Sequence, residues 1–262
     1  MDAPEPQFLE LGAGGTRRRI AYRWSGGRGE EPQLLWLPGF LSDLASTKAL
    51  AVAEWAYARG LPIMRFDYSG HGLSSGDFLQ ASIGDWLEEA IAVWGRMGDA
   101  PRIVIGSSMG GWIALLLARH LAKQGRNGPL AGLVLIAPAW DMTEALIWQQ
   151  LPAAARREIE VEGVTYLPSA YGDPYPVTRR LIAEGRSHLL QDHHFDPSCP
   201  VRILQGMRDA DVPFDHVLAL VDLLQASDVE LTLVKDGDHR LSRPEDLRRL
   251  TATIAALVER AS

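Results

Sequence analysis

A serine hydroxyl is nearly inert as a nucleophile at neutral pH, so a chain that uses one must also supply a base for its proton and an acid to orient that base. This sequence offers the three residue types in the order Ser, Asp, His. In Gly106-Ser107-Ser108-Met109-Gly110 the G-x-S-x-G pattern joins an apolar run, Arg102-Ile103-Val104-Ile105, to a helical run from Trp112 onward. A serine on such a strand-to-helix turn has a strained backbone and no room for side chains two residues to either side, which explains glycine at 106 and 110. Two later turns follow apolar runs of their own: Gly206-Met207-Arg208-Asp209-Ala210-Asp211-Val212-Pro213 and Lys235-Asp236-Gly237-Asp238-His239. Asp209 is the favoured acid and Asp211 its competitor, because Asp211-Val212-Pro213 reads as the cap of the next helix. His239 is the base. Of the other histidines, His71 follows a turn, His120 ends a helix, His216 opens one, and His188, His193 and His194 fall in a stretch without core strands.

Acyl transfer also needs donors aimed at the developing oxyanion. The backbone N–H of Met109, next after the serine, is one. The other is expected from the turn Pro38-Gly39-Phe40, through the N–H of Phe40.

These residues need a scaffold, and from Gln33 the chain alternates short apolar runs with longer helical ones, the pattern of βαβ units and a mostly parallel sheet. Core strands are expected at 33–37, 62–67, 102–106, 131–137, 201–205 and 229–234. Helices are expected at 49–59, 83–96, 110–121, 214–224 and 244–258, where apolar residues recur every three or four positions. Segments 8–11 and 17–24, around Gly12-Ala13-Gly14-Gly15, read as an antiparallel hairpin on one edge. The fold class is therefore α/β, a mostly parallel central sheet with helices on both faces. Residues 1–140 and 198–262 form the core. Residues 141–197 break the rhythm with helical patterns and a Pro- and Tyr-rich connector, and read as a helical lid inserted above the strand ends, where such folds bind ligands.

The bulk composition narrows the function classes. A chain of 262 residues, 47% hydrophobic and 23% charged, suits one large domain, and a net charge of −7 argues against a nucleic-acid partner. Arg17-Arg18-Arg19, the one basic run, reads as solvated charge on an edge strand. The single cysteine, Cys199, is expected to be a buried structural thiol. Asp192-His193-His194-Phe195-Asp196 lacks the spacing of a metal site. No run is long enough to span a bilayer, and the first residues have neither the basic flank nor the apolar core of a signal peptide, so a cytoplasmic protein is expected.

Taken together, the Gly39-Phe40 turn, Phe66-Asp67-Tyr68-Ser69-Gly70-His71-Gly72, the 106–112 elbow, the 206–213 stretch and Asp238-His239-Arg240 resemble the α/β-hydrolase superfamily. Within it the chain is most similar to the abhydrolase domain-containing ten family, through Trp36-Leu37-Pro38-Gly39-Phe40-Leu41-Ser42, Thr47-Lys48-Ala49-Leu50, the elbow and 163–169. The resemblance implies palmitoyl-protein thioesterase or acyl-glucuronide esterase activity, with Ser108, Asp209 and His239 as nucleophile, acid and base. Many members of the superfamily carry histidine where Gln205 stands, a difference expected to touch no catalytic role. The expectation is a serine hydrolase of small-molecule or acyl-protein esters or thioesters, needing no cofactor or metal. Trp148, Leu151, Tyr166 and Leu167, with Trp140 at the root of the insertion, either form an apolar acyl pocket or pack the insertion onto the core. Two other readings stay open: a carbon–carbon bond hydrolase with the same triad, and a non-catalytic small-molecule receptor.

Overall fold

In the computed structural model, residues 5–14, 17–26, 29–125, 129–169, 172–191 and 194–262 are described. Gly15 of the expected hairpin turn and Asp192 and His193 of the histidine cluster lie outside them. The strands of the main sheet are β1 (Gln7–Leu11), β2 (Arg18–Ser25), β3 (Gln33–Leu37), β4 (Ile63–Phe66), β5 (Arg102–Ser107), β6 (Leu130–Ile136), β9 (Val201–Gly206) and β10 (Val229–Val234). They lie in the order β1-β2-β4-β3-β5-β6-β9-β10. β1 and β2 pair antiparallel, β2 meets β4 antiparallel, and every pairing from β4 to β10 is parallel.

The central strands β3, β4, β5 and β9 are buried along their whole length, and most of their residues are apolar, because both faces are covered. Alternation sorts the side chains. Leu35, Leu37, Val104, Leu133, Leu135 and Ile203 face one core, with Trp86 of α2 (Ile83–Trp94) and Trp112 of α3 (Met109–Lys123). Leu34, Trp36, Ile103, Ile105, Val134 and Ile136 face the other, with Ala49 and Val52 of α1 (Thr47–Tyr57) and Leu250 and Ile254 of α7 (Pro244–Ala261).

Between β6 and β9 run a π-helical turn (Met142–Ile147), α4 (Ala153–Glu162), β7 (Val164–Ser169), β8 (Gly172–Thr178) and α5 (Arg179–Gly185); α6 (Phe214–Leu223) then joins β9 to β10. β7 and β8 form a two-stranded antiparallel ribbon apart from the main sheet. From sequence, 166–176 reads as a Pro- and Tyr-rich connector, yet Pro168, Pro174 and Pro176 lie within these two strands. A two-stranded ribbon has only edge strands, where a missing N–H is tolerated. Asp141 closes the neck of this segment: its fully buried carboxylate accepts from Leu190 N at 2.8 Å and Gln191 N at 2.9 Å.

The basic run is corrected at one of its three residues, for Arg17 and Arg19 are exposed as expected. Arg18 is not solvated: its Nε donates to Glu89 at 2.6 Å and its Nη2 pairs with Glu88. Burial pushes the Glu89 carboxyl up to about 6, against the pull of Arg18 and the Ser69 N–H. Cys199 is buried, and burial pushes its thiol up to about 12.

Candidate active site

β3 and β5 lie side by side, and the chain leaves β3 toward β4 on one side while β5 leads to β6 on the other. Connections that part in opposite directions open a crevice at the carboxyl ends of the strands. The two turns beside that crevice carry Gly39 and Ser108. A Cβ on Gly39 would come within 3.2 Å of Ser107 O, so glycine permits the close approach of the two turns.

Ser108 has φ 53 and ψ −120, a conformation that side chains rarely adopt, and it immediately precedes α3. The fold holds it there. Ser108 N donates to Ile136 O at 2.8 Å, and Ser108 O accepts from Gly111 N at 2.8 Å and Ala139 N at 3.1 Å. A Cβ on Gly106 would collide with Gly110 O, and one on Gly110 with Leu37 O, which is the crowding inferred from the motif.

Asp209 follows β9 and His239 follows β10, so both arrive at the same sheet edge. His239 Nε2 lies 3.1 Å from Ser108 Oγ, and His239 Nδ1 lies 2.8 Å from Asp209 Oδ2. The Asp209 side chain is fully buried but well supplied with donors: Oδ1 accepts from Asp211 N at 2.9 Å and Val212 N at 2.8 Å. Asp211 thus helps to hold the carboxylate through its backbone. Gln205 corrects an expectation, for its buried Nε2 donates to Asp209 Oδ2 at 3.2 Å and to Val212 O at 2.9 Å. The position contacts Asp209, the candidate acid.

Asp209, Asp211 and His239 place ligand-type atoms within 4.8 Å of one another. A cation there would have to displace the backbone donors on Asp209 Oδ1 and the imidazole on Oδ2. That donor set suits a carboxylate holding a histidine better than a metal. His194, the described histidine of the other cluster, has its Nδ1 3.2 Å from Leu223 O.

The Met109 amide opens α3, where helix N–H groups have no intrahelical acceptor. Among the described residues neither it nor the Phe40 amide has a protein partner. A cavity of about 190 Å³ opens beside Ser108, His239, Gly39 and Phe40. Its lining is polar, with Ser42, Ser46, Thr47 and Ser242 and the cations Lys48 and Arg240. The half-buried Lys48 donates to Arg240 O at 2.5 Å, and burial, with Arg240 close by, lowers its ammonium to about 8.

The five residues expected at an acyl pocket do not line this cavity. Trp140 is buried, stacked on His216 at 4.7 Å, and donates Nε1–H to His216 O at 2.8 Å. Trp148 lies beneath the guanidinium groups of Arg156 and Arg186, Leu151 is buried in the core, Leu167 packs against it, and Tyr166 is exposed. The aromatic side chains that do gather at the Pro38-Gly39-Phe40 turn are Phe78, Trp86 and Tyr175, whose ring centroids lie 5.1, 6.0 and 5.8 Å from that of Phe40 in edge-on contacts. Nothing in their spacing announces this, since they come from three separate segments.

The chain belongs to the α/β-hydrolases: the family described as serine aminopeptidase, S33, matches residues 34–181, more than half its length. Among them it is of the ABHD10 type. It is 34% identical over 237 residues to the human palmitoyl-protein thioesterase ABHD10, mitochondrial, covering 90% of this chain and 76% of that one. The structure of mouse α/β-hydrolase domain-containing protein 10 superposes with a TM-score of 0.84 at 30% identity, covering 98% of this chain and 100% of that one. The crystal structure of a putative hydrolase from Agrobacterium vitis S4 gives 0.93 at 44% identity, covering 97% and 98%. The curated relatives are named as mitochondrial proteins, which overturns the expectation of a cytoplasmic protein. That expectation rested on signals missing from the sequence, and missing signals fix no compartment. Among the described residues, no helix is long and apolar enough to cross a membrane.

Proposed function

We propose that this α/β-hydrolase is a serine hydrolase that cleaves carboxylic esters or thioesters through an acyl-enzyme. The observation that carries the reading is the continuous line from Ser108 Oγ through the His239 ring to Asp209, at 3.1 and 2.8 Å. Ser108 Oγ attacks the carbonyl carbon while His239 Nε2 takes its proton. Asp209, held by backbone N–H groups, keeps the Nδ1 proton of His239 in place and stabilises the imidazolium. The carbonyl oxygen gathers negative charge between the Met109 and Phe40 amides. His239 then returns the proton to the departing alkoxide or thiolate, and the acyl group stays on Ser108. Water repeats the sequence, releasing the acid and restoring the serine.

The names of the relatives support a thioester substrate, and the family description names a peptidase. Each reaction passes through the same tetrahedral centre, so the elbow alone does not choose between them. The polar lining of the cavity suits the alcohol or thiol part of a substrate better than an alkyl chain. The segment 141–197 is proposed as a lid over the crevice, and its Tyr175 reaches Phe40.

The test is hydrolysis of a matched series of acyl esters, acyl thioesters and peptides by the purified protein and by Ser108→Ala. The reading expects turnover of esters or thioesters that falls by about 10⁵-fold or more in the variant. Peptide cleavage with inert esters and thioesters, or equal turnover by the variant, would refute it.

A further inference from the structure

The turn that carries Phe40 is itself held in an unfavourable shape. Ser42 N donates to Gly39 O at 3.1 Å, closing a four-residue turn, and Leu41 within it has φ 55. A positive φ at the third turn position ordinarily calls for glycine. The Leu41 side chain is 52% exposed and anchors little.

His71 supplies the anchor, from the loop after β4. Leu41 N donates to His71 Nε2 at 3.1 Å, and His71 Nδ1 lies 3.1 Å from Ser69 O. An amide N–H only donates and a carbonyl only accepts. Both contacts are therefore satisfied by one form of the ring alone, the neutral tautomer with its proton on Nδ1. The ring is buried, and burial holds its pKa below the usual histidine value. It packs against Phe78 at 5.1 Å and Trp86 at 5.4 Å, the same two rings that flank Phe40. Two further side chains from this segment clamp the same loop: Asp67 Oδ1 accepts from Leu44 N at 2.6 Å, and Arg65 Nη1 donates to Leu44 O at 2.7 Å.

We propose that His71, as a neutral imidazole protonated on Nδ1, is a positioning residue for the oxyanion site, fixing the Leu41 amide and through it the turn that aims the Phe40 N–H at Ser108. The inference rests on the proposed role of Phe40. Without the hook, the Phe40–Leu41 peptide is free to turn, which relieves the strain at Leu41; the Phe40 N–H sits on the neighbouring Gly39–Phe40 peptide, so its aim is lost through the freedom gained at Phe40 and not by flipping itself. His71 touches no substrate; it acts through the backbone.

Two variants separate this from simple packing. His71→Phe keeps an aromatic ring but has no acceptor, whereas His71→Gln places a carbonyl oxygen near the Nε2 position. On an ester or thioester substrate, His71→Phe should lower kcat by about ten- to a hundredfold, less than losing an oxyanion donor outright, with KM within about twofold. Its affinity for a trifluoromethyl ketone, whose hemiketal oxyanion occupies the same site, should fall by the same factor as kcat/KM. His71→Gln should recover to within about threefold of the parent. ¹⁵N NMR of the parent at neutral pH should show His71 protonated on Nδ1 and bare on Nε2. Unchanged kcat in His71→Phe, or equal loss in both variants without loss of ketone affinity, would overturn the proposal. So would a proton on Nε2, a readout that stands even if His71→Phe does not fold. If the parent protein hydrolyses nothing, the functional reading fails, while the NMR experiment still decides the tautomer.

Discussion

Lys48 should make the protein less stable at neutral pH than it would be without the charge. The ammonium stands in the first turn of α1, where the helix dipole also disfavours a cation. Burial and Arg240 lower it to about 8 from the usual 10.5. At ~1.4 kcal/mol per pH unit, keeping it protonated in the folded state at pH 7 costs about 3 kcal/mol. Partial exposure and the bond from Nζ to Arg240 O reduce the net penalty to about 1–2 kcal/mol. Lys48→Met retains the aliphatic stem and removes the charge. The sign follows from proton uptake: below pH 8 both folded and unfolded chains hold the proton and the penalty is full. Between pH 8 and 10.5 only the unfolded chain holds it, so the stability of the parent rises relative to the variant. Urea unfolding at a series of pH values should show Lys48→Met more stable by about 1–2 kcal/mol at pH 6–7, with the gap closing by about pH 10. Parallel curves, or a parent protein more stable than the variant at pH 7, would refute the reasoning.

Asp209→Asn should lower kcat by about 10⁴-fold through loss of the His239 tautomer, whereas Asp211→Asn, which leaves the Asp211 N–H on Asp209 intact, should cost little; the reverse ranking in steady-state kinetics would reassign the acid. Trp148→Ala removes the platform under Arg156 and Arg186, so it should lower the unfolding temperature and affect short and long acyl substrates alike. Selective loss on long chains would instead make Trp148 part of an acyl pocket.

The core strands are legible in the sequence because they are mostly apolar on both faces, and the elbow because glycine at 106 and 110 answers a steric demand. The spacing of Asp209 and His239 behind two apolar runs brings them to the sheet edge that carries Ser108. What the sequence conceals depends on contacts between segments. The β7–β8 ribbon hides behind prolines that only edge strands tolerate. Gln205 reads as one more strand residue until the turn after β9 folds back over it and brings Asp209 to its amide. His71 lies 30 positions from Leu41, and only the parallel pairing of β3 with β4 sets their loops together. The choice between an acyl pocket and packing for the large apolar residues of 141–197 stays open in the sequence, because position in the chain does not say whether a tryptophan faces a cavity or, as with Trp140, a histidine ring.

The central claim is that Ser108 is the nucleophile and His239 its base. The most direct test treats the protein with a fluorophosphonate and locates the adduct by peptide mass spectrometry. The account predicts one modification, on Ser108, absent from Ser108→Ala and strongly slowed in His239→Ala. An adduct on Ser107 or another serine, or undiminished labelling of Ser108→Ala, would contradict it.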